Sequence, residues 1–313
     1  MNKISRKVAV IGLGNVGLGT AITILNQGIA DELLLIDRNE YKVEGEAWDM
    51  ANAIAFFTSQ SKVRTASYSD LKDVDIICVA ASAAPPEGGD RIAELKLNSN
   101  IVRSVVRQAV DNGFNGIFII QSNPVDILTF VALQESGFPA NRVIGTGTLL
   151  DTGRLRQVIS EICGNIDIRS VTGYMMGEHG NSQALVWSSV CVGGKSYLKM
   201  REEDPKKYAQ LSLDEIKAKV IGMAWEIIDR KGNTAYGIGA VAVRIIKCIF
   251  RDQKSIIPVS AYLDGEYGQK GFVASVPAIV GQNGIEGIVE LNMTKEEETE
   301  LQKSFELLKK HSI

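Results

Sequence analysis

Residues 7–17 read Lys-Val-Ala-Val-Ile-Gly-Leu-Gly-Asn-Val-Gly. Val8 to Ile11 is a short, wholly apolar run of the kind found in a strand buried on both faces. Glycines follow at 12, 14 and 17, and from Asn15 to Asn26 the pattern becomes helical. Three glycines at this spacing recur by chance, but strand, glycine turn and helix in this order make a specific signal. Gly12 permits the tight turn, Gly14 admits a pyrophosphate against the backbone, and Gly17 lets the helix lie close on the strand. Asn15 and Val16 open that helix, whose N-terminal amides face an anion. A second apolar run, 33–37, ends in Asp37, twenty residues beyond Gly17. A carboxylate there accepts ribose hydroxyls and repels a 2′-phosphate, which favours NAD over NADP, although Arg38 stands beside it. The alternative is an ordinary glycine turn followed by a surface aspartate.

No residue from Val8 to Ala30 is charged, so the same stretch also resembles a membrane anchor. Four glycines in its middle, with Asn15, Thr20, Thr23, Asn26 and Gln27, divide it instead into strand and helix. No membrane partner is expected.

Further strands are expected at 62–66, 75–80, 116–121 and 142–145, with helices over 43–57, 91–112 and 125–136. Apolar strands alternating with helices imply an α/β fold: a doubly wound parallel sheet forming an NAD-binding (Rossmann) domain. After residue 146 the rhythm changes to an α+β pattern. Helices are expected at 149–163, 212–230 and 236–250, and strands at 256–262 and 271–274. The reading is of two domains, a dinucleotide-binding 1–145 and a catalytic or substrate 146–313. Thr294 and Glu297 have capping-box spacing before a terminal helix, and Glu296–Glu298 reads as a solvated face.

The 313 residues, 45% hydrophobic and 23% charged, are too apolar for a disordered chain. A net charge of −3 gives no excess of cations for a phosphate backbone, so no nucleic acid is expected. The cysteines at 78, 163, 191 and 248 lack the spacing of a zinc site or a disulfide framework. They indicate a reduced, cytoplasmic protein without a metal.

Only two histidines are present, His179 and His311. His179 lies in Gly-Glu-His-Gly-Asn (177–181), where flanking glycines suggest a shaped backbone. It is either a hydrogen-bonded structural histidine or a group that exchanges one proton near neutral pH. In Gly-Thr-Gly-Thr-Leu-Leu-Asp-Thr-Gly-Arg (145–154), Asp151 and Arg154 share a helix face. They form a simple intrahelical pair, or else Asp151 orients the imidazole while Arg154 presents its fork to a substrate carboxylate. Ser122-Asn123-Pro124 closes a strand at its carboxyl end, where Asn123 can donate to a substrate oxygen and the bond to Pro124 is a candidate cis peptide. Residues 80–91 combine small residues, Pro85, Pro86, Gly88 and Gly89 ahead of Arg91. They read as a mobile loop, with Arg91 either a site residue or a surface arginine at a helix start.

Taken together, GLGNVG (12–17), LIDRNE with Asp37, GGDR (88–91), SNPVDILT (122–129), GTGTLLDTGRLR (145–156), GEHGNS (177–182) and KGNTAYGIG (231–239) resemble the lactate/malate dehydrogenase family over essentially the whole chain. Within it the wording is closest to L-2-hydroxyisocaproate and L-lactate dehydrogenases. The resemblance implies reversible NAD-dependent hydride transfer between a 2-hydroxy and a 2-oxo acid, with malate dehydrogenase or a non-catalytic NAD sensor as alternatives. It implies that His179 is the acid/base, Asp151 its partner and Arg154 the carboxylate anchor. It makes Arg91 the residue that closes over the site and polarises the carbonyl. Asn123 assists beside substrate and cofactor, Thr234 lines the side-chain pocket, and a homo-oligomer, dimer or tetramer, follows by similarity. Three departures bear on specificity. Pro85 stands where lactate enzymes usually carry Gln and malate enzymes Arg, and Asn181 where many lactate enzymes carry Asp. Thr172 replaces a histidine that binds fructose 1,6-bisphosphate in allosteric members, although Arg156 matches the other half of that site. The expected substrate therefore has an apolar side chain, from the methyl of pyruvate to the branched chain of 2-oxoisocaproate.

Overall fold

The computed structural model describes residues 5–58, 60–83 and 91–311, with residues 91–93 described by their backbone only. The first half runs β1 (Lys7–Ile11), α1 (Asn15–Asn26), β2 (Glu32–Ile36), α2 (Glu40–Ile54), β3 (Lys62–Thr65), β4 (Ile76–Val79), α3 (Arg91–Asp111), β5 (Ile117–Ile120), α4 (Val125–Ser136) and β6 (Val143–Gly145). The second half runs α5 (Leu149–Ile162), β7 (Val171–Met176), β8 (Ala184–Val192), β9 (Lys195–Ser196), α6 (Tyr197–Glu203), α7 (Pro205–Tyr208), α8 (Leu213–Lys231), α9 (Tyr236–Phe250), β10 (Ser255–Asp264), β11 (Lys270–Gly281), β12 (Gly284–Ile288) and α10 (Lys295–His311).

The strands of the first half lie in the order β3-β2-β1-β4-β5-β6, all parallel. This is the doubly wound order, and its direction reverses between β1 and β4. Along β1, Val8 and Val10 enter one apolar cluster while Ala9 and Ile11 enter another, so both faces of the strand are covered. The expected division at 145/146 falls between β6 and α5, and the sheet runs on across it. β10 joins β6 antiparallel, with Ser260 opposite Gly145, and β11 and β12 extend the sheet to nine strands among the described residues. A separate three-stranded sheet holds β7, β8 and β9.

Helix α1 meets α9 through glycines. A Cβ on Gly239 would lie 2.5 Å from the carbonyl oxygen of Gly19, so only hydrogen fits there and the two backbones touch. That contact ties the helix of the glycine turn to the second half. Among the described residues no helix is long and apolar enough to cross a membrane.

Two expectations need correction. Helix α2 starts at Glu40 rather than near Val43, because the Asn39 side chain caps it by accepting the Lys42 N–H at 3.1 Å. The run Glu296–Glu298 is not a solvated face throughout. Glu297 is buried, completes the capping box with Thr294, and accepts the Ser188 N–H at 2.8 Å together with the Ser188 hydroxyl.

Candidate active site

Several site segments begin where a parallel strand ends. The glycine turn follows β1, Asp37 follows β2, residues 80–83 follow β4, Ser122–Pro124 follow β5, and Thr146–Thr148 follow β6. Ligands collect at this edge of a doubly wound sheet because the loops diverge where the strand order reverses. The turn itself fits a dinucleotide. Gly12 has φ +94°, and a Cβ on it would strike the backbone of Ala81, so no other residue is accommodated. No heavy atom lies within 4 Å of a Cβ placed on Gly14, and no side chain caps α1, so its first amides face open space. Asp37 is drawn onto the turn by accepting the Leu13 N–H at 2.6 Å, and the Lys42 ammonium reaches the Leu13 carbonyl at 2.9 Å.

The segment after β5 is held by Asn98, a buried side chain of α3. Its amide donates to the Asn123 carbonyl at 3.0 Å and its oxygen accepts the Ala83 N–H at 2.8 Å. The Asn123–Pro124 peptide is cis. Helix α5 is fixed to β7 at one residue: the Thr148 hydroxyl donates to the Met175 carbonyl at 2.6 Å, and Thr152 accepts the Met175 N–H at 3.0 Å.

The structure brings His179, Asp151 and Arg154 together. Asp151, 1% exposed, meets the His179 Nδ1 with one oxygen at 2.6 Å and accepts from the Arg154 guanidinium with the other at 2.7 Å. The two readings of the acid and base in 145–154 therefore coexist: they are an intrahelical pair, and the carboxylate also reaches the imidazole. Nδ1 is occupied by Asp151, which leaves Nε2 for other chemistry. Burial works against the His179 cation, but Asp151, aided by Asp126, outweighs it and holds the imidazole above its ordinary value. Burial likewise opposes the Asp151 anion, and His179 and Arg154 together hold it below the usual carboxylate range.

The loop carrying His179 is pinned by residues that sequence reasoning missed. Gly177 exchanges both backbone hydrogen bonds with Ser275 of β11, at 2.8 and 2.9 Å. The Glu178 N–H donates to Ser304 of α10 at 2.8 Å, and the His179 N–H donates to Asp126 of α4 at 2.7 Å. Asp126 carried a visible signal, an acid in the first turn of a helix that follows Asn-Pro, but nothing local ties it to His179.

The other expected residues are placed as follows. Asn15 and Val16 open α1, and Thr234 lies half-buried between α8 and α9, beside the Ala235 contact with Gly19 of α1. Arg91 is the first residue of α3, and its side chain lies outside the described residues, as does Pro85. Thr172 is exposed on β7 and Arg156 is half-buried on α5.

The lactate/malate dehydrogenase profiles match the chain in two parts: the NAD binding domain over residues 6–145 and the alpha/beta C-terminal domain over residues 148–312. The chain belongs to the lactate/malate dehydrogenase family. It is 47% identical over 309 residues to L-lactate dehydrogenase 3 of Bacillus anthracis, covering 99% of this chain and 98% of the relative. It is 46% identical over 305 residues to L-lactate dehydrogenase 2 of Lactococcus lactis subsp. lactis, covering 97% and 96%. Its fold is similar to that of the minor L-lactate dehydrogenase of Enterococcus mundtii in a ligands-bound form, with a TM-score of 0.95, 42% identity and coverage of 99% and 98%. NAD is thus the cofactor of this family member, an oxidoreductase of the lactate dehydrogenase type. A Cβ on Gly17 would strike the Gly12 carbonyl oxygen, so the third glycine too is required by the turn.

Proposed function

We propose that the protein is an L-2-hydroxy acid dehydrogenase that interconverts 2-oxo acids with apolar side chains, from pyruvate to 2-oxoisocaproate, and the corresponding L-2-hydroxy acids. The observation that carries this reading is the buried Asp151 carboxylate shared between His179 and Arg154. The glycine turn and Asp37 would hold NADH, which when bound would supply the hydride. His179, protonated because Asp151 stabilises its cation, gives the Nε2 proton to the substrate oxygen and retrieves it in the reverse direction. Arg154, 6% exposed and oriented by Asp151, offers its remaining N–H groups to the substrate carboxylate. Arg91 is assigned to the charge that grows on the carbonyl oxygen, where a placed donor contributes about 3 kcal/mol. Asn123 assists at the strand end, and Thr234 lines the side-chain pocket.

Specificity is assigned to residues 80–91. No Lys or Arg precedes Arg91 there, and Pro85 occupies the position that separates lactate from malate enzymes in the family. Burying the second carboxylate of oxaloacetate without a cation costs several kcal/mol. The names of the full-length relatives support the pyruvate end of this range and do not favour malate. Thr172 supplies no imidazole for fructose 1,6-bisphosphate, and activation by that compound is not part of the proposal.

We further assign the protein to the cytoplasm, where its four free thiols remain reduced, and to a homo-oligomer, dimer or tetramer. Tyr41, Trp48 and Phe56, at or near α2, are 90, 64 and 90% exposed, and Trp225 and Tyr236 are exposed as well, a density of aromatic surface that supports the assignment of an interface there. The test of substrate is NADH consumption with pyruvate, 2-oxoisocaproate and oxaloacetate at matched concentrations. The expected order puts oxaloacetate last; a preference for oxaloacetate overturns the assignment.

A further inference from the structure

Asp126 is a buried carboxylate that the hydride-transfer scheme does not use. It is 2% exposed and accepts from three donors. One oxygen accepts the His179 N–H at 2.7 Å. The other accepts the hydroxyls of Ser260 and Ser275, each at 2.7 Å. Those serines face each other across β10 and β11, in register. Ser275 also holds Gly177 through the backbone, so Asp126 and Ser275 grip the histidine loop at two points two residues apart.

The surrounding sequence is shaped around this cluster. A Cβ on Gly145 would stand 2.5 Å from the Ser260 hydroxyl oxygen, and one on Gly147 would stand 2.5 Å from that of Ser275. The glycines of Gly-Thr-Gly-Thr thus leave room for the two hydroxyls that Asp126 accepts. Glycine at 147 is required a second time by its φ of +52°. With one main-chain N–H and two hydroxyls pointing at it, the carboxylate is satisfied in its ionised form.

We propose that Asp126 is a positioning residue for the proton donor: it fixes the main chain of His179 and sets a second negative charge behind the imidazole. This rests on the reading of His179 given above. Among the described side chains, the charged groups facing the ring are Asp151 and Arg154 from α5 and Asp126 from α4, while β10 and β11 contribute the neutral serines. Asp151 acts through the ring nitrogen, Asp126 through the backbone and the field, so removing either lowers the proton affinity of His179 by a separate route. Asp126 itself is pushed by burial above the usual carboxylate range, with the His179 N–H and the serine hydroxyls opposing the push.

The near-isosteric Asp126→Asn variant tests this, because an amide can still accept the His179 N–H and donate to a serine oxygen while carrying no charge. With His311→Gln as background, one histidine remains, and its imidazole resonance can be titrated by NMR without any substrate. The titration midpoint of His179 is expected to move to lower pH. The alkaline limit of 2-oxo acid reduction, which needs the imidazolium, should move with it. Oxidation of the hydroxy acid, which needs the neutral ring, should persist to lower pH. Between the old and new midpoints reduction falls and oxidation does not, whereas a merely loosened fold lowers both. Should Asp126→Asn fail to fold, Asp126→Ser removes the same charge while keeping a polar side chain at the start of α4, and the midpoint is expected to fall likewise. A folded variant with an unmoved midpoint overturns the proposal. If the unmodified chain turns over no 2-oxo acid, the enzymatic reading fails instead, and the NMR titration still decides the role of Asp126.

Discussion

Asp151→Asn removes one charge from the middle of the site and little volume, so its effects separate cleanly. The native carboxylate serves two donors, His179 Nδ1 at 2.6 Å and Arg154 at 2.7 Å, one on each oxygen. An amide has one acceptor oxygen, so its NH₂ must face one of those donors, and a hydrogen bond to a charged group worth about 1.5–3 kcal/mol is lost. Arg154 is also left buried without its counter-charge, which raises the destabilisation to about 3–5 kcal/mol. The pH dependence follows from the same pair. Asp151 lies below its ordinary value of 3.8, so its contribution to stability is present above that pH and is lost as pH falls through the folded value. His179 lies above its ordinary 6.5, so the same interaction is complete below that pH and is lost as pH rises through the folded value. In the variant the imidazole loses its main anionic neighbour. The alkaline limit of reduction moves to lower pH, and above it turnover falls by roughly 10²–10⁴-fold. The assay is steady-state NADH consumption across pH, beside thermal melts of both proteins and NADH binding by fluorescence. Turnover within a few-fold of the unmodified protein, with an unmoved alkaline limit, refutes the reasoning.

Asp37→Ser removes the charge that repels a 2′-phosphate and leaves Lys42 beside the turn; the ratio of NADPH to NADH turnover should rise on the order of tenfold, ~1.4 kcal/mol, and an unchanged ratio removes Asp37 from cofactor choice. Glu297→Ala keeps the Thr294 cap but removes the carboxylate that accepts the Thr294 and Ser188 N–H groups, so the melting temperature should drop by an amount matching about 1–3 kcal/mol for the donors left unpaired, which differential scanning calorimetry reads directly. Trp48→Glu with Phe56→Glu places charge on the exposed aromatic surface and should shift the mass measured by light scattering toward a single chain; an unaltered mass shows that this face is not the interface.

How far the sequence reached can be followed in particular elements. Helices α1, α4 and α9 have the expected limits, because each begins after a glycine, proline or loop signal and stays predominantly apolar along its length. Strands β1 to β6 stand within about a residue of expectation; for β1, β2, β4 and β5 this is because a strand buried on both faces is a nearly unbroken apolar run, whereas β3 is a largely exposed edge strand. β11 is much longer than the 271–274 expected, because its length is set by pairing with β10 over ten positions, which no local pattern reveals. β12 contains Gly284 and Gly287, which weaken any strand signal, and it exists because β11 offers it an edge. The meeting of His179 with Asp151 spans 28 residues; the residue types allow it, but no spacing decides between it and a simple Asp151–Arg154 pair, and only the motif resemblance favours it. The grip of Asp126 on His179, Ser260 and Ser275 spans 53, 134 and 149 residues, and three unremarkable polar side chains gave no sign of it. Tertiary structure alone assembles that cluster.

The most direct test of the account is the His179→Asn protein, measured for NADH binding and for pyruvate reduction in the same preparation. Asparagine keeps the main-chain N–H that Asp126 accepts but has no proton to exchange near neutral pH. NADH binding is expected to stay close to that of the unmodified chain, with pyruvate reduction lost. Near-normal turnover by the variant would contradict it.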